Sequence, residues 1–177
     1  MKIFVVNGVP QSGKDTFVNF CLDELTGWGK SVSTIDFVKE VAVLCGWSGK
    51  KTPKDRKFLS DLKDLLTDWG NVPYNKVLKE KQIFEYSFDG FGINPEKAFF
   101  FIFCREPKEI QKFVDGINAK TILIRREIVE NIEQSNHADA GVFNFDYDII
   151  IENNGTLKDL RDKAKKFLKE EGWNRRW

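Results

Sequence analysis

One histidine, one methionine and three cysteines stand in 177 residues. The single histidine, His137, has no partner for a metal cluster and supports no Ser-His-Asp arrangement. Cys21, Cys45 and Cys104 are widely spaced and form no C-x-x-C pair. That spacing argues against metal clusters and disulfide frameworks and fits a reducing cytoplasm. An excess of either charge is missing too: 28 basic and 27 acidic residues leave a formal net charge of +1. No general attraction to nucleic acid or to a membrane surface follows. No apolar run is long enough to span a bilayer. One lysine precedes the first strand-like run, with no signal-peptide cleavage region. Neither repeats nor low-complexity linkers are visible. The length suits one domain, residues 1–177, with a sizeable core.

What is present starts at once. Ile3-Phe4-Val5-Val6-Asn7 reads as a buried strand, and Gly8-Val9-Pro10-Gln11-Ser12-Gly13-Lys14-Asp15-Thr16 follows it directly. An apolar-periodic helix comes next, with Phe17, Phe20, Cys21 and Leu25. This is G-x-x-x-x-G-K in a strand–loop–helix setting, the pattern of a phosphate-binding loop. Gly8 and Gly13 let the loop curl, so that the backbone N–H groups around Gln11 and Ser12 point at phosphate oxygens. The helix adds its positive N-terminal end, and Lys14 reaches the outer phosphates. After the lysine, where a hydroxyl residue is usual, stands Asp15; Thr16 comes one place later. A carboxylate is a hard oxygen ligand that suits Mg²⁺. Asp15 is therefore a candidate metal ligand, with Thr16 beside it at the metal or the inner phosphate. The alternative is that Asp15 only offsets the helix dipole.

Five β-like runs alternate with helical stretches: residues 2–7, 31–36, 98–103, 120–125 and 147–151. Several are continuous apolar runs, as in strands buried on both faces, which predicts a parallel sheet covered by helices. Thr52, Pro53 and Asp55 open one helix, whose stripe is Phe58, Leu59, Leu62, Leu65, Leu66 and Trp69. Thr156 and Asp159 open the last helix. Residues 72–88 read as helical. Trp28, Trp47 and Trp69 read as core or interface residues, with the core as the first expectation. Residues 37–97 form the longest insertion, placed to shape a second-substrate pocket. Residues 126–146 are placed to act as a lid.

Phosphoryl transfer needs cations around the moving phosphate. Arg105 follows strand three, and Arg125 and Arg126 close strand four. Arg56 lies on the insertion helix. Asp36, at the carboxyl end of strand two, is a candidate for accepting a proton or holding metal-bound water. Lys39, one turn later, is a candidate for a substrate phosphate.

These residues resemble a family. Gly8 to Thr16, ending Gly-Lys-Asp-Thr, resembles the loop of the phage-type deoxynucleoside monophosphate kinases, within the P-loop nucleoside monophosphate kinase fold. Ile35 to Lys39, Arg56 to Leu62, Arg105 to Ile110, Asn136 to Gly141 and Asp148 to Leu157 are similar to further motifs of that family. The resemblance implies a three-layer α/β/α fold with a five-stranded parallel sheet, a helical acceptor-binding insertion and a short lid. It implies ATP and Mg²⁺ as cofactors and a nucleoside monophosphate as acceptor. Lys14 would stabilise the transferring phosphate, Arg105 would hold the acceptor phosphate, and Arg125 or Arg126 would bridge the two. Asn153, in the turn after the last strand, would belong to the nucleotide site. Where the family reads Asp-x-Arg, this chain has Phe103-Cys104-Arg105. A kinase of another small phosphorylated acceptor and a nucleotide-binding module remain alternatives. Oligomeric state is left open, a homodimer included.

Overall fold

The computed structural model describes residues 1–92, 94–130 and 141–174. They form two compact units, Met1–Ser31 with Ser87–Trp177, and Val32–Tyr86. The sheet has five strands: β1 (Lys2–Asn7), β2 (Gly29–Ser33), β3 (Phe99–Phe103), β4 (Lys120–Arg125) and β5 (Ile149–Glu152), in the order β2-β3-β1-β4-β5. β1 is central and pairs in parallel with β3 and β4, and β4 pairs in parallel with β5. The architecture is the expected parallel α/β sheet covered by helices.

In the larger unit the strands alternate between two apolar faces. Phe4, Val6, Phe99, Phe101, Ile122 and Ile124 look to one side, where they pack on α1 (Lys14–Leu25) and α7 (Leu157–Glu170). Aromatic rings dominate this layer. Phe4 stacks on Phe99 and Phe101 at 6.0 and 5.8 Å, and Phe167 of α7 meets Phe4 edge-on at 5.1 Å. α5 (Pro107–Ile117) contacts β1 and β4 and buries Ile110 and Phe113. Near the end of the chain, Trp173 lies 6.0 Å from Trp28 and 6.4 Å from Phe99, so the tail packs back as far as that residue.

Two strands are shifted from their expected ranges, both because side chains took over backbone bonding. β2 ends at Ser33, not at residue 36. The Ser33 N–H donates to Asp36 Oδ2 at 2.8 Å, and Ser33 Oγ accepts from the Ile35 N–H at 3.4 Å. Such local side-chain bonds end a strand and start a helix. Asp36 is consequently the first residue of α2 (Asp36–Leu44), not the last of a strand. β5 starts at Ile149, not at residue 147, because Asp148 exchanges bonds with Thr121: Asp148 Oδ2 accepts from both the N–H and the hydroxyl of Thr121, whose Oγ1 accepts from the Asp148 N–H.

The smaller unit is helical. α3 (Pro53–Gly70) opens with the expected capping box of Thr52 and Asp55, and α4 (Val72–Phe91) extends past its expected end. α2 packs on α3, and Lys76 of α4 sits 4.1 Å over the Phe37 ring. Trp69 is a correction: it is 84% exposed and is not a core residue. The apolar stripe read along α3 is wider than its partners can cover. α7 likewise opens with the expected box of Thr156 and Asp159. Among the described residues no helix is long and apolar enough to cross a membrane.

Phe4 touches both neighbours on β3 and the α7 ring at once. Phe4→Ala is expected to cost about 3–5 kcal/mol, read as a lower urea midpoint with little change in slope.

Candidate functional site

β1 runs straight into the glycine loop, and its register sets what surrounds that loop. Val6 pairs with Phe103 and Asn7 pairs with Leu123. Arg105 and Arg125 thus each stand two residues beyond a position paired with the end of β1. Because these strands are parallel, their carboxyl ends lie on one edge of the sheet, where open α/β sheets bind ligands.

The loop is held from beneath. Asn7 Oδ1 accepts from the Gly8 N–H at 2.8 Å. Asn7 Nδ2 donates to the Arg105 carbonyl at 3.1 Å and to the Tyr147 hydroxyl at 2.7 Å. Tyr147 in turn donates to the Val142 carbonyl at 2.7 Å, and burial pushes its pKa up to about 12. One amide therefore joins the loop, the turn bearing Arg105 and the segment after residue 140. Nothing in the sequence pairs Asn7 with Tyr147; only the assembled sheet does.

At the other end, Asn153 Nδ2 donates to the Ser12 carbonyl at 2.8 Å, and the Asn153 N–H donates to the Arg125 carbonyl at 2.7 Å. Gly13 has φ +93°, and a Cβ there would collide with the Asn153 amide. A Cβ on Gly8 would lie 2.5 Å from Ser12 Oγ and 2.6 Å from the Ile124 carbonyl. Both glycines are thus demanded by close packing of the loop. Gln11 also adopts a left-handed conformation, φ 65°, and is exposed. Ser12 is fully buried, and its Oγ has no hydrogen-bond partner among the described residues. Asn154 adds a further tie, accepting from the Glu127 N–H at 2.9 Å.

Lys14 is 7% exposed at the start of α1, Asp15 is exposed beside it, and Thr16 is half-buried. The first N–H groups of α1 point out of the helix toward the loop. Among the described residues no group of three or more His, Cys, Asp or Glu could hold a metal ion. Mg²⁺ does not need one, since it binds through one or two carboxylates, phosphate oxygens and water. The hard oxygens of Asp15 and Thr16 fit that requirement. Phe103 packs against the aromatic core, which explains an apolar side chain there.

The three arginines differ. Arg105 is half-buried on the turn that Asn7 holds. Arg125 is committed to acids: its Nε and Nη2 donate to both oxygens of Glu130, at 2.9 and 2.8 Å, and Nη1 lies 3.7 Å from Glu152. Arg126 is half-buried, and its side chain has no hydrogen bond or ion pair among the described residues. Glu130 lies in α6 (Glu127–Glu130), which opens the expected lid. Val129 and Val142, on either side of residues 131–140, pack with Leu123 and with Val9 of the glycine loop. His137, Asn136, Asp139 and the middle of the expected lid lie outside the described residues.

The remaining candidates belong to the smaller unit. Asp36 accepts from Ser33 and lies 3.5 Å from Lys39 Nζ, so these two candidates are partners of each other. Arg56 is exposed, and its Nε donates to the Lys51 carbonyl at 3.3 Å. A buried pair escaped the sequence reading: Cys104 Sγ donates to Glu109 Oε2 at 3.4 Å. The interval from Arg105 to Glu109 was visible, but not that the acid turns inward.

Sheet order, central glycine loop and flanking helices together define the P-loop kinase fold. Among solved structures the chain is similar to the dephospho-CoA kinase from Campylobacter jejuni, with a TM-score of 0.54 and 20% identity over 96% of this chain and 97% of that one. A sugar kinase from Janibacter sp. HTCC2649 aligns over 96% and 95% of the two chains, at a TM-score of 0.48 and 14% identity. No protein-family model and no curated protein matches the chain.

The pair of hydrogen bonds from Arg125 holds the Glu130 carboxyl below its ordinary value of 4.5, against a smaller opposing effect of burial. The pair therefore stabilises the tie between the end of β4 and the end of α6 above the ordinary carboxylate range. It is lost as pH falls through the lowered value. An NMR titration of the Glu130 carboxyl is expected to give a midpoint below 4.5, moving upward in Arg125→Ala.

Proposed function

We propose that this chain is an ATP- and Mg²⁺-dependent kinase that phosphorylates a nucleoside monophosphate, a deoxynucleotide by preference, to the diphosphate. The observation that carries the reading is the glycine loop, fixed by Asn7 beneath Gly8 and by Asn153 behind Ser12. A loop held at both ends presents its N–H groups without reorganising, which is what electrostatic stabilisation of a transferring phosphoryl group requires. Its neighbours on the same edge of the sheet are arginines.

In this reading the loop N–H groups and Lys14 bind the donor phosphates and Lys14 follows the charge as it moves. Arg105 holds the acceptor phosphate. Arg126 serves as the bridging cation, because Arg125 is already spent on Glu130 and Glu152. Asp15 and Thr16 would hold the metal, which when bound neutralises charge on the donor phosphates. Asp36, Lys39 and Arg56 are the further candidates for acceptor binding. Residues 126–146 serve as the lid that excludes water.

A second reading has its own support. The Campylobacter jejuni structure is named a dephospho-CoA kinase, and a kinase of that or another small phosphorylated acceptor would use the same loop. Phe103, where an acid is usual, favours a third, a nucleotide-binding module with little catalysis.

A coupled ADP-release assay over ribo- and deoxynucleoside monophosphates, with dephospho-CoA included, separates the three. Stimulation by one or a few monophosphates is expected. Release with dephospho-CoA alone would establish the second reading, and ATP binding without acceptor-dependent release the third. In the same assay Asp15→Ala is expected to lower Mg²⁺-dependent turnover by roughly ten- to a hundredfold, the scale of losing a group that supports a metal site directly or through water. Its melting temperature is expected to stay near the parent's, since Asp15 is exposed. Unchanged turnover would remove Asp15 from the metal site.

A further inference from the structure

Where β1 and the chain leaving β3 part, a side chain takes over from the backbone. The Cys104 N–H still donates to the Val6 carbonyl, at 3.4 Å. Beyond that bond Gly8 turns into the glycine loop and Arg105 turns toward α5, and the fully buried Asn7 amide lies between them. An asparagine amide carries two donor hydrogens and an acceptor oxygen in one rigid plane. Here the oxygen accepts from the Gly8 N–H, and the two hydrogens go to the Arg105 carbonyl and the Tyr147 hydroxyl.

The partners dictate the orientation. Tyr147 donates its own hydrogen to the Val142 carbonyl, so toward Asn7 its oxygen can only accept. A flipped amide would set oxygen against the Arg105 carbonyl and hydrogens against the Gly8 N–H. Other side chains do not replace it. Aspartate keeps the bond from Gly8 and loses both donors, and leucine loses all three bonds. The Arg105 turn is braced on its far side as well. Cys104 Sγ donates to Glu109 Oε2 at 3.4 Å, and the Glu109 N–H donates to the Glu106 carbonyl at 3.0 Å.

We propose that Asn7 is a positioning residue for phosphoryl transfer, fixing the spacing between the loop that holds the donor phosphates and the arginine that holds the acceptor phosphate. The role rests on the kinase reading given above for the loop and Arg105. Two bound groups react when the reacting atoms lie about 3–3.5 Å apart and in line, and a misplacement of roughly 1 Å costs about a hundredfold. Asn7 is buried and commits its amide to protein groups, so it needs no contact with either phosphate. Its loss leaves each substrate bound and spoils their approach.

Kinetics and NMR of the full chain test this on Asn7→Asp and Tyr147→Phe, the second keeping the ring and removing only the hydroxyl that orients the amide. With the nucleoside monophosphate that gives most ADP release, kcat is expected to fall about a hundredfold in Asn7→Asp. In Tyr147→Phe it should fall about tenfold, the scale of one lost hydrogen bond. The KM for ATP and for the monophosphate should stay within about threefold of the parent. Ile110→Val, a core change on α5, is the stability control: its melting temperature should drop with kcat nearly unchanged. A second arm needs no substrate. In ligand-free Tyr147→Phe the Gly8 N–H is expected to exchange with solvent about tenfold faster, as a loosened local bond does. The Glu106 N–H resonance, next to the Arg105 carbonyl, should shift with it. If Asn7→Asp fails to fold, Tyr147→Phe decides both arms. Unchanged kcat, a loss confined to KM, or unchanged Gly8 and Glu106 signals would overturn the proposal while leaving the kinase reading intact. No ADP release with any monophosphate would overturn the kinase reading, and the role of Asn7 in transfer with it, even where the NMR arm shows the tie loosened.

Discussion

β1 is hydrogen-bonded in parallel to β3 on one side and to β4 on the other, and the glycine loop can only leave the sheet between them. Everything placed around the loop follows from that pairing. The register sets Arg105 and Arg125 within one residue of the same height beyond the end of β1. It brings the Arg105 carbonyl within reach of Asn7, and it sends β5 out beside β4, so that Asn153 can reach back to Ser12. The aromatic layer of Phe4, Phe99 and Phe101, met by Phe167 of α7, keeps the register, because a one-residue slip of a strand would turn its rings to the opposite face.

Two asparagine side chains do complementary work at the loop. Asn7 satisfies the Gly8 N–H and spends its own amide hydrogens on Arg105 and Tyr147. Asn153 satisfies the Ser12 carbonyl and occupies the space a side chain at Gly13 would need. The result is a loop whose curvature is fixed by buried hydrogen bonds. Val9, packed with Val129 and Val142, ties the same loop to both ends of the segment read as a lid. A displacement of that segment would therefore be felt at the loop through an apolar contact as well as through Tyr147.

Arginine chemistry on this edge is divided by ion pairing. Arg125 is occupied by two acids, one from α6 and one from β5, and so acts as a brace between them. Arg126, next in sequence, has no such acid among the described residues. Residue type alone did not separate the two. The smaller unit divides its own charges in a similar way: Asp36 binds Ser33 and Lys39, and Lys57 of α3 binds Asp61.

Local chemistry made much of this legible in the sequence. The apolar runs for β1 and β4, the capping boxes at Thr52 and Thr156, and the glycine spacing of the loop all depend on neighbours within a few residues, and their elements stand where they were expected. Other features answer to partners far along the chain. Asn7 meets Tyr147 across 140 positions and Asn153 meets Ser12 across 141. β2 and β5 began and ended where side chains intercepted the backbone, which periodicity does not register. Trp69 reads as core because its spacing is apolar, but spacing says only that a face is hydrophobic. Whether that face is covered depends on how many neighbours the fold supplies, and α3 has too few to cover Leu65 and Trp69.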